Sequence, residues 1–303
     1  MLPNRSGQAE ESGATPYFGL AAGAVSTLFW GLSFVGVRVA VEAFRPVALV
    51  GLRLAIACVV LFAALALRGG PLRPARGDLR RALLLGAILG AHLVLQTVAM
   101  RQTTAIRAGW FVAFMPVVIG LGATLFLGER MRRFGWAGVA LATSGVLVLA
   151  SARPEDLAGA GLGDLLLFVS CFTWAAYTLI AGPVVRRSGT LCTTAWAMLA
   201  AAPPCLAFAA WQGVTIAEPT PRAWVALALL GLLASGVAFL AFGRAVATLG
   251  AQRTSAFLYV QPFVTLVGSR VLLGEPFTLG GLAGGVVVLV GVAVIQRAKR
   301  GLR

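Results

Sequence analysis

Two stretches decide the reading of this chain: AIRAGWFVAFMPVVIGLGATLFLGE at 105–129 and AQRTSAFLYVQPFVTLVGSRVLLGE at 251–275. A shift of 146 residues aligns Ala105 with Ala251, Pro116 with Pro262, Gly122 with Gly268, and Gly128-Glu129 with Gly274-Glu275. Each stretch holds roughly the 20 residues that a bilayer core requires, with one proline near its middle and a glycine after its last apolar residue. A chain that repeats such a stretch repeats a membrane span.

Outward from this pair, Gly138/Gly284 and Gly145/Gly291 stay in register, and a shift of 144 puts Gly19 on Gly163 and Trp30 on Trp174. Nearly all of 17–151 recurs as 163–296, with only the second and seventh spans matching poorly. The apolar runs fall at 17–37, 47–67, 81–100, 107–127, 134–151, 163–181, 190–211, 222–243, 254–273 and 279–296. Five spans per copy is an odd number, so the second copy enters the membrane from the opposite face. The expected fold is all-α and integral to the membrane: ten transmembrane helices as two inverted five-helix repeats, between tails at 1–16 and 297–303.

Composition agrees with lipid as the solvent. The 303 residues are 59% hydrophobic and 12% charged, about half the charge of a soluble domain. A net charge of +15 does not point to nucleic acid, because that reading needs a basic face in solvent, and here the basic residues lie between spans. Arg68, Arg73, Arg76, Arg80 and Arg81, with Arg186, Arg187 and the 297–303 tail, gather on the N-terminal side. The positive-inside rule then places both termini in the cytoplasm. Residues 1–16 hold no apolar core of a signal peptide, so the first helix is expected to be retained. Cys58, Cys171, Cys192 and Cys205 lie in apolar runs without paired spacing, and neither a disulfide, a metal site nor a cofactor is expected.

Several polar or kink-forming residues stand out against this background. Mid-span Pro116 and Pro262 leave carbonyls near Val112 and Leu258 short of a donor, which makes them hinges, substrate contacts or fixed kinks. Glu129 and Glu275 either cap the following helix, pair with Arg130, Arg132 or Arg133, or act in gating. The sole histidine, His92, falls mid-span with Gln96 one turn on, either lining a cavity or packed with a hydrogen bond. Helical spacing groups Ser26, Trp30 and Ser33, Trp174 with Tyr177, and Ser255 with Tyr259 as candidates to ring one midplane site. Aromatic walls with a few donors suit a zwitterion with an apolar side chain. Arg53 is expected to snorkel outward, pair with Glu42, or attract a carboxylate. Glycine-rich fifth and tenth spans read as packing or homodimer faces.

These features resemble the EamA-type members of the drug/metabolite transporter superfamily. The resemblance covers almost the whole chain. It rests on Trp30-Gly31 with Phe34 and Arg38, Pro46 and Arg53, Ala99-Met100, Pro116, Leu127-Gly128-Glu129-Arg130, Gly138 and Gly145, and then Pro262 and Leu273-Gly274-Glu275-Pro276. It implies a two-repeat carrier that exports small polar metabolites, often amino acids, by alternating access. Nucleotide sugars or drugs are the other cargo within the same fold. A channel or intramembrane enzyme is disfavoured, since one histidine with no mid-span Asp or Glu gives little to assemble a catalytic site.

Overall fold

The computed structural model describes residues 16–69, 71–102, 105–128, 133–151, 161–274 and 279–297. Its regular structure there is helical, with one isolated bridge between Phe44 and Thr215. The helices, in chain order, are α1 (Pro16–Ala40), α2 (Pro46–Leu67), α3 (Asp78–Ala99), α4 (Ala105–Leu127), α5 (Arg133–Ser151), α6 (Leu162–Ser188) and α7 (Thr190–Gln212). They are followed by α8 (Pro221–Leu249), α9 (Ala251–Leu272) and α10 (Leu279–Arg297). Seven of these, α1, α2, α3, α6, α7, α8 and α9, are long and apolar enough to cross a membrane, and shorter apolar runs occupy Phe111–Leu127 and Ala283–Ile295. With large apolar side chains such as Val59, Phe126, Leu165, Val225 and Val286 exposed around its surface, the protein is a multi-pass membrane protein.

Local sequence sets where the helices begin and end. Pro46 and Pro221 start α2 and α8 at a position where the missing N–H costs nothing, and the Thr220 hydroxyl accepts from the Ala223 N–H at the head of α8. Gly128 and Gly274, equivalent in the sequence comparison, follow the last residues of α4 and α9 with φ of 65° and 73°. Only glycine takes that left-handed conformation without a steric penalty, and the Gly274 N–H turns back onto the Arg270 carbonyl.

Two helices depart from regular α geometry. In α8, Leu230–Val237 winds as a π-helix, and in α9, Ala256–Val260 tightens to 3-10 geometry just before Pro262. The 3-10 turn has a simple consequence for the proline: the Leu258 carbonyl, expected to lack a donor, receives the N–H of Gln261. Pro116, by contrast, is accommodated inside the unbroken α-helix α4.

Packing pairs α5 with α10, α2 with α7, α3 with α6 and α7, α1 with α8 and α9, and α4 with α6. The α5–α10 pair meets through glycines of both helices. A Cβ on Gly138 would lie 2.9 Å from the Gly291 carbonyl oxygen, one on Gly145 would lie 2.7 Å from the Val288 nitrogen, and one on Gly291 would lie 2.5 Å from the Ala142 nitrogen. Backbone therefore rests on backbone, as small residues permit in lipid. These glycine faces are consumed within the chain, so a second copy would have to bind through other, lipid-facing surface.

Candidate functional site

The helices meet around a central cleft lined from both halves of the chain. Its aromatic wall is built from Trp30 of α1, Trp174 of α6 and Phe239 of α8. The Trp30 and Trp174 rings meet edge to face with centroids 5.1 Å apart, and Phe239 closes on Trp30 at 5.0 Å. Such edge-to-face contacts match the positive edge of one ring with the negative face of the next. Since Trp30 and Trp174 are equivalent under the 144-residue shift, the cleft sits where the two sequence halves touch each other.

The π-helical segment of α8 supplies polar anchors to this wall. Trp30 Nε1 donates to the Ala234 carbonyl at 2.9 Å, and Arg53 Nε donates to Ser235 Oγ at 2.8 Å. A π-turn spaces backbone hydrogen bonds i to i+5, and such turns recur at functional sites. Trp174, in the equivalent place on the other half, has no partner for its buried Nε1 among the described residues.

His92 reaches the same cleft from α3. Its ring lies 5.0 Å from that of Trp174, and Nδ1 is 3.0 Å from the Ser170 carbonyl and 3.2 Å from Thr173 Oγ1. A carbonyl only accepts, so Nδ1 carries the proton and Nε2 is left as an acceptor. Gln96 and Thr97 follow on α3, and Gln261, the first residue after the 3-10 turn of α9, completes the polar side with its amide.

Of the residues singled out in the sequence, Trp30, Ser33, His92, Gln96 and Trp174 line this cleft together. Tyr177 stands behind it, buried and stacked on Trp174 with centroids 5.2 Å apart. Tyr259 and Ser255 lie elsewhere. Tyr259 is fully buried with its hydroxyl 3.1 Å from Thr143 of α5, and the Ser255 hydroxyl is turned onto the Gln252 carbonyl. Ser26 likewise bonds within its own helix, to the Gly23 carbonyl. Pro116 and Pro262 are both buried and are not among the lining residues, while Glu129 and Glu275 fall outside the described residues.

Two of the three expectations for Arg53 are not met. It neither snorkels nor meets Glu42, which is exposed; the arginine is 3% exposed and turned into the cleft. Gln261, Thr97, Met115 and Phe239 also line the cleft and were not marked by the sequence. Gln261 alone carried a signal, as an uncharged polar residue beside a mid-span proline.

Comparison with known proteins agrees with this architecture. A "probable terminal-alkyne amino-acid exporter" of Streptantibioticus cattleyicolor is 31% identical over 295 residues, covering 92% of this chain and 93% of its own. The inner membrane transporter YedA of Escherichia coli K12 is 28% identical over 270 residues, 88% of this chain and 87% of its own. A crystal structure of a protein 21% identical in sequence superposes with a TM-score of 0.76 over 91% of this chain and 95% of that one, which bears on the fold alone. The EamA-like transporter family matches twice, over 17–151 and 161–297, and with both matches together spanning most of its length the chain belongs to that family.

Proposed function

We propose that the protein is a secondary transporter that moves small polar metabolites, amino acids foremost, out across the bacterial inner membrane by alternating access. In this reading the helices form ten spans in two inverted five-helix repeats, 17–151 and 163–296, with both termini in the cytoplasm. The observation that carries it is the cleft itself, built where equivalent residues of the two halves, Trp30 and Trp174, touch. Helix packing supports the same symmetry: exchanging α1–α5 for α6–α10 converts the α1–α8 contact into α6–α3 and the α4–α6 contact into α9–α1. It leaves α2–α7 and α5–α10 as they are.

A site on such an axis can be exposed to either face when the halves exchange conformations. The 3-10 turn before Pro262 and the intact helix around Pro116 are the two conformations of equivalent hinges in this scheme. Amino acids as cargo are supported by the aromatic wall beside polar groups, and by the printed name of one relative. Nucleotide sugars are the second reading.

Counterflow in proteoliposomes tests both. Vesicles preloaded in turn with amino acids, nucleobases and nucleotide sugars, with and without a pH gradient, are expected to show saturable exchange of amino acids. Exchange confined to nucleotide sugars would select the second reading, and flux without saturation would indicate a channel.

A further inference from the structure

We infer that Arg53 is the anion-recognising residue of the cleft and that the cargo carries a carboxylate that pairs with it. This deepens the transport reading above and rests on it. The arginine is almost fully buried, and its one hydrogen bond to the described residues uses Nε, on Ser235 Oγ. No carboxylate lies within ion-pair distance of it among the described residues; the ion pairs found for Asp78 join that residue to Arg81 and Arg187.

Arg53 lines the cleft and neither of its Nη groups has a hydrogen-bond partner among the described residues, so four of the five guanidinium donors are unclaimed. With Nε fixed by Ser235, the Nη1–Nη2 edge is presented as a planar fork, the geometry that receives two oxygens of a carboxylate. A buried arginine without a counter-ion is costly, and pairing with an anion is what offsets that cost.

The surroundings narrow the ligand further. Gln96 and Gln261 make no side-chain hydrogen bond to other described residues, and the Trp174 indole N–H is unpartnered. His92 Nε2 offers an acceptor to an ammonium or hydroxyl group. The ring faces of Trp30, Trp174 and Phe239 cover an apolar body. A phosphate dianion would call for a second fixed cation, and Arg53 is the one Lys or Arg among the lining residues.

The experiment compares acids with their amides on the full-length protein in detergent, following melting temperature and tryptophan fluorescence. The probes are the twenty common amino acids, the primary amide of each acid that binds, and UDP-glucose. At least one free acid is expected to stabilise the wild type, and its amide to bind roughly tenfold more weakly or worse, as loss of a charge-assisted pair implies. Arg53→Gln should abolish that discrimination, and Arg53→Lys should keep part of it.

Equal binding of acid and amide by the wild type would overturn the inference without need of any variant. So would failure of every acid to bind, or a folded Arg53→Gln protein that still prefers the acid. Acid-selective binding without counterflow would leave Arg53's role standing and sink the transport reading. Counterflow without acid selectivity would do the reverse.

Discussion

The loops that tie the two halves together at opposite ends of the α2–α7 pair use different chemistry. Ala43 to Arg45, between α1 and α2, correspond under the 144-residue shift to Arg187 to Gly189, between α6 and α7. At the first place the tie is backbone: Arg45 N–H donates to the Val214 carbonyl at 3.0 Å and Ile216 N–H to the Ala43 carbonyl at 2.8 Å, with Phe44 against the Trp224 ring. At the second it is side chains around one buried carboxylate. Asp78 accepts from Arg187 Nε and Ser188 Oγ, each at 3.0 Å, while Ser188 Oγ also accepts from the Ala75 N–H at 3.1 Å. The same contrast recurs at the centre, where the Trp30 indole N–H is bonded to Ala234 and that of its equivalent Trp174 has no partner among the described residues. Positions that are equivalent in sequence thus meet similar placements with different interactions.

The largest effect is expected where the central pair is made alike. Trp30→Phe removes volume and leaves the Ala234 carbonyl without its donor, and should lower stability by about 2 kcal/mol. Trp174→Phe removes similar volume and breaks no hydrogen bond within the protein, so it should cost about 1 kcal/mol less while weakening cargo binding. Chemical denaturation in mixed micelles checks both, and equal losses would erase the asymmetry. Next in size, Asp78→Ala frees Ser188 and should speed hydrogen exchange at the Ala75 amide roughly tenfold, leaving the Arg45 and Ile216 amides unchanged. The smallest effect is salt dependence. Raising ionic strength from 0.1 to about 1 M shortens the screening length from about 10 to 3 Å, and should accelerate exchange at the Asp78 end alone, by less than the substitution does.

Much of this was legible in the sequence, for reasons that differ residue by residue. Lipid solvation, the repeat and the tryptophan pair follow from patterns along the chain, because a span has a fixed length and the equivalent residues lie 144 apart. His92 and Gln96 were visible because a polar side chain mid-span needs a partner or a cavity. Ser255 and Tyr259 were grouped on the assumption of 100° per residue, whereas the 3-10 turn over Ala256–Val260 advances about 120°. That change accompanies Tyr259 facing Thr143 and Gln261 lining the cleft. Arg53 was visible as a candidate, but its placement was not: its partner Ser235 lies 182 residues away on a π-turn, and no local spacing encodes that contact.

The uncompensated charge of Arg53 also bears on the electrical tightness of the membrane. A cleft that opens to water is a route by which sodium or hydronium could cross. A cation about 6 Å from the guanidinium meets roughly 3 kcal/mol of repulsion at an effective dielectric of about 20, and its occupancy falls by about two orders of magnitude. The fixed charge that selects an anionic group therefore also keeps a hydrated cleft from acting as a cation leak.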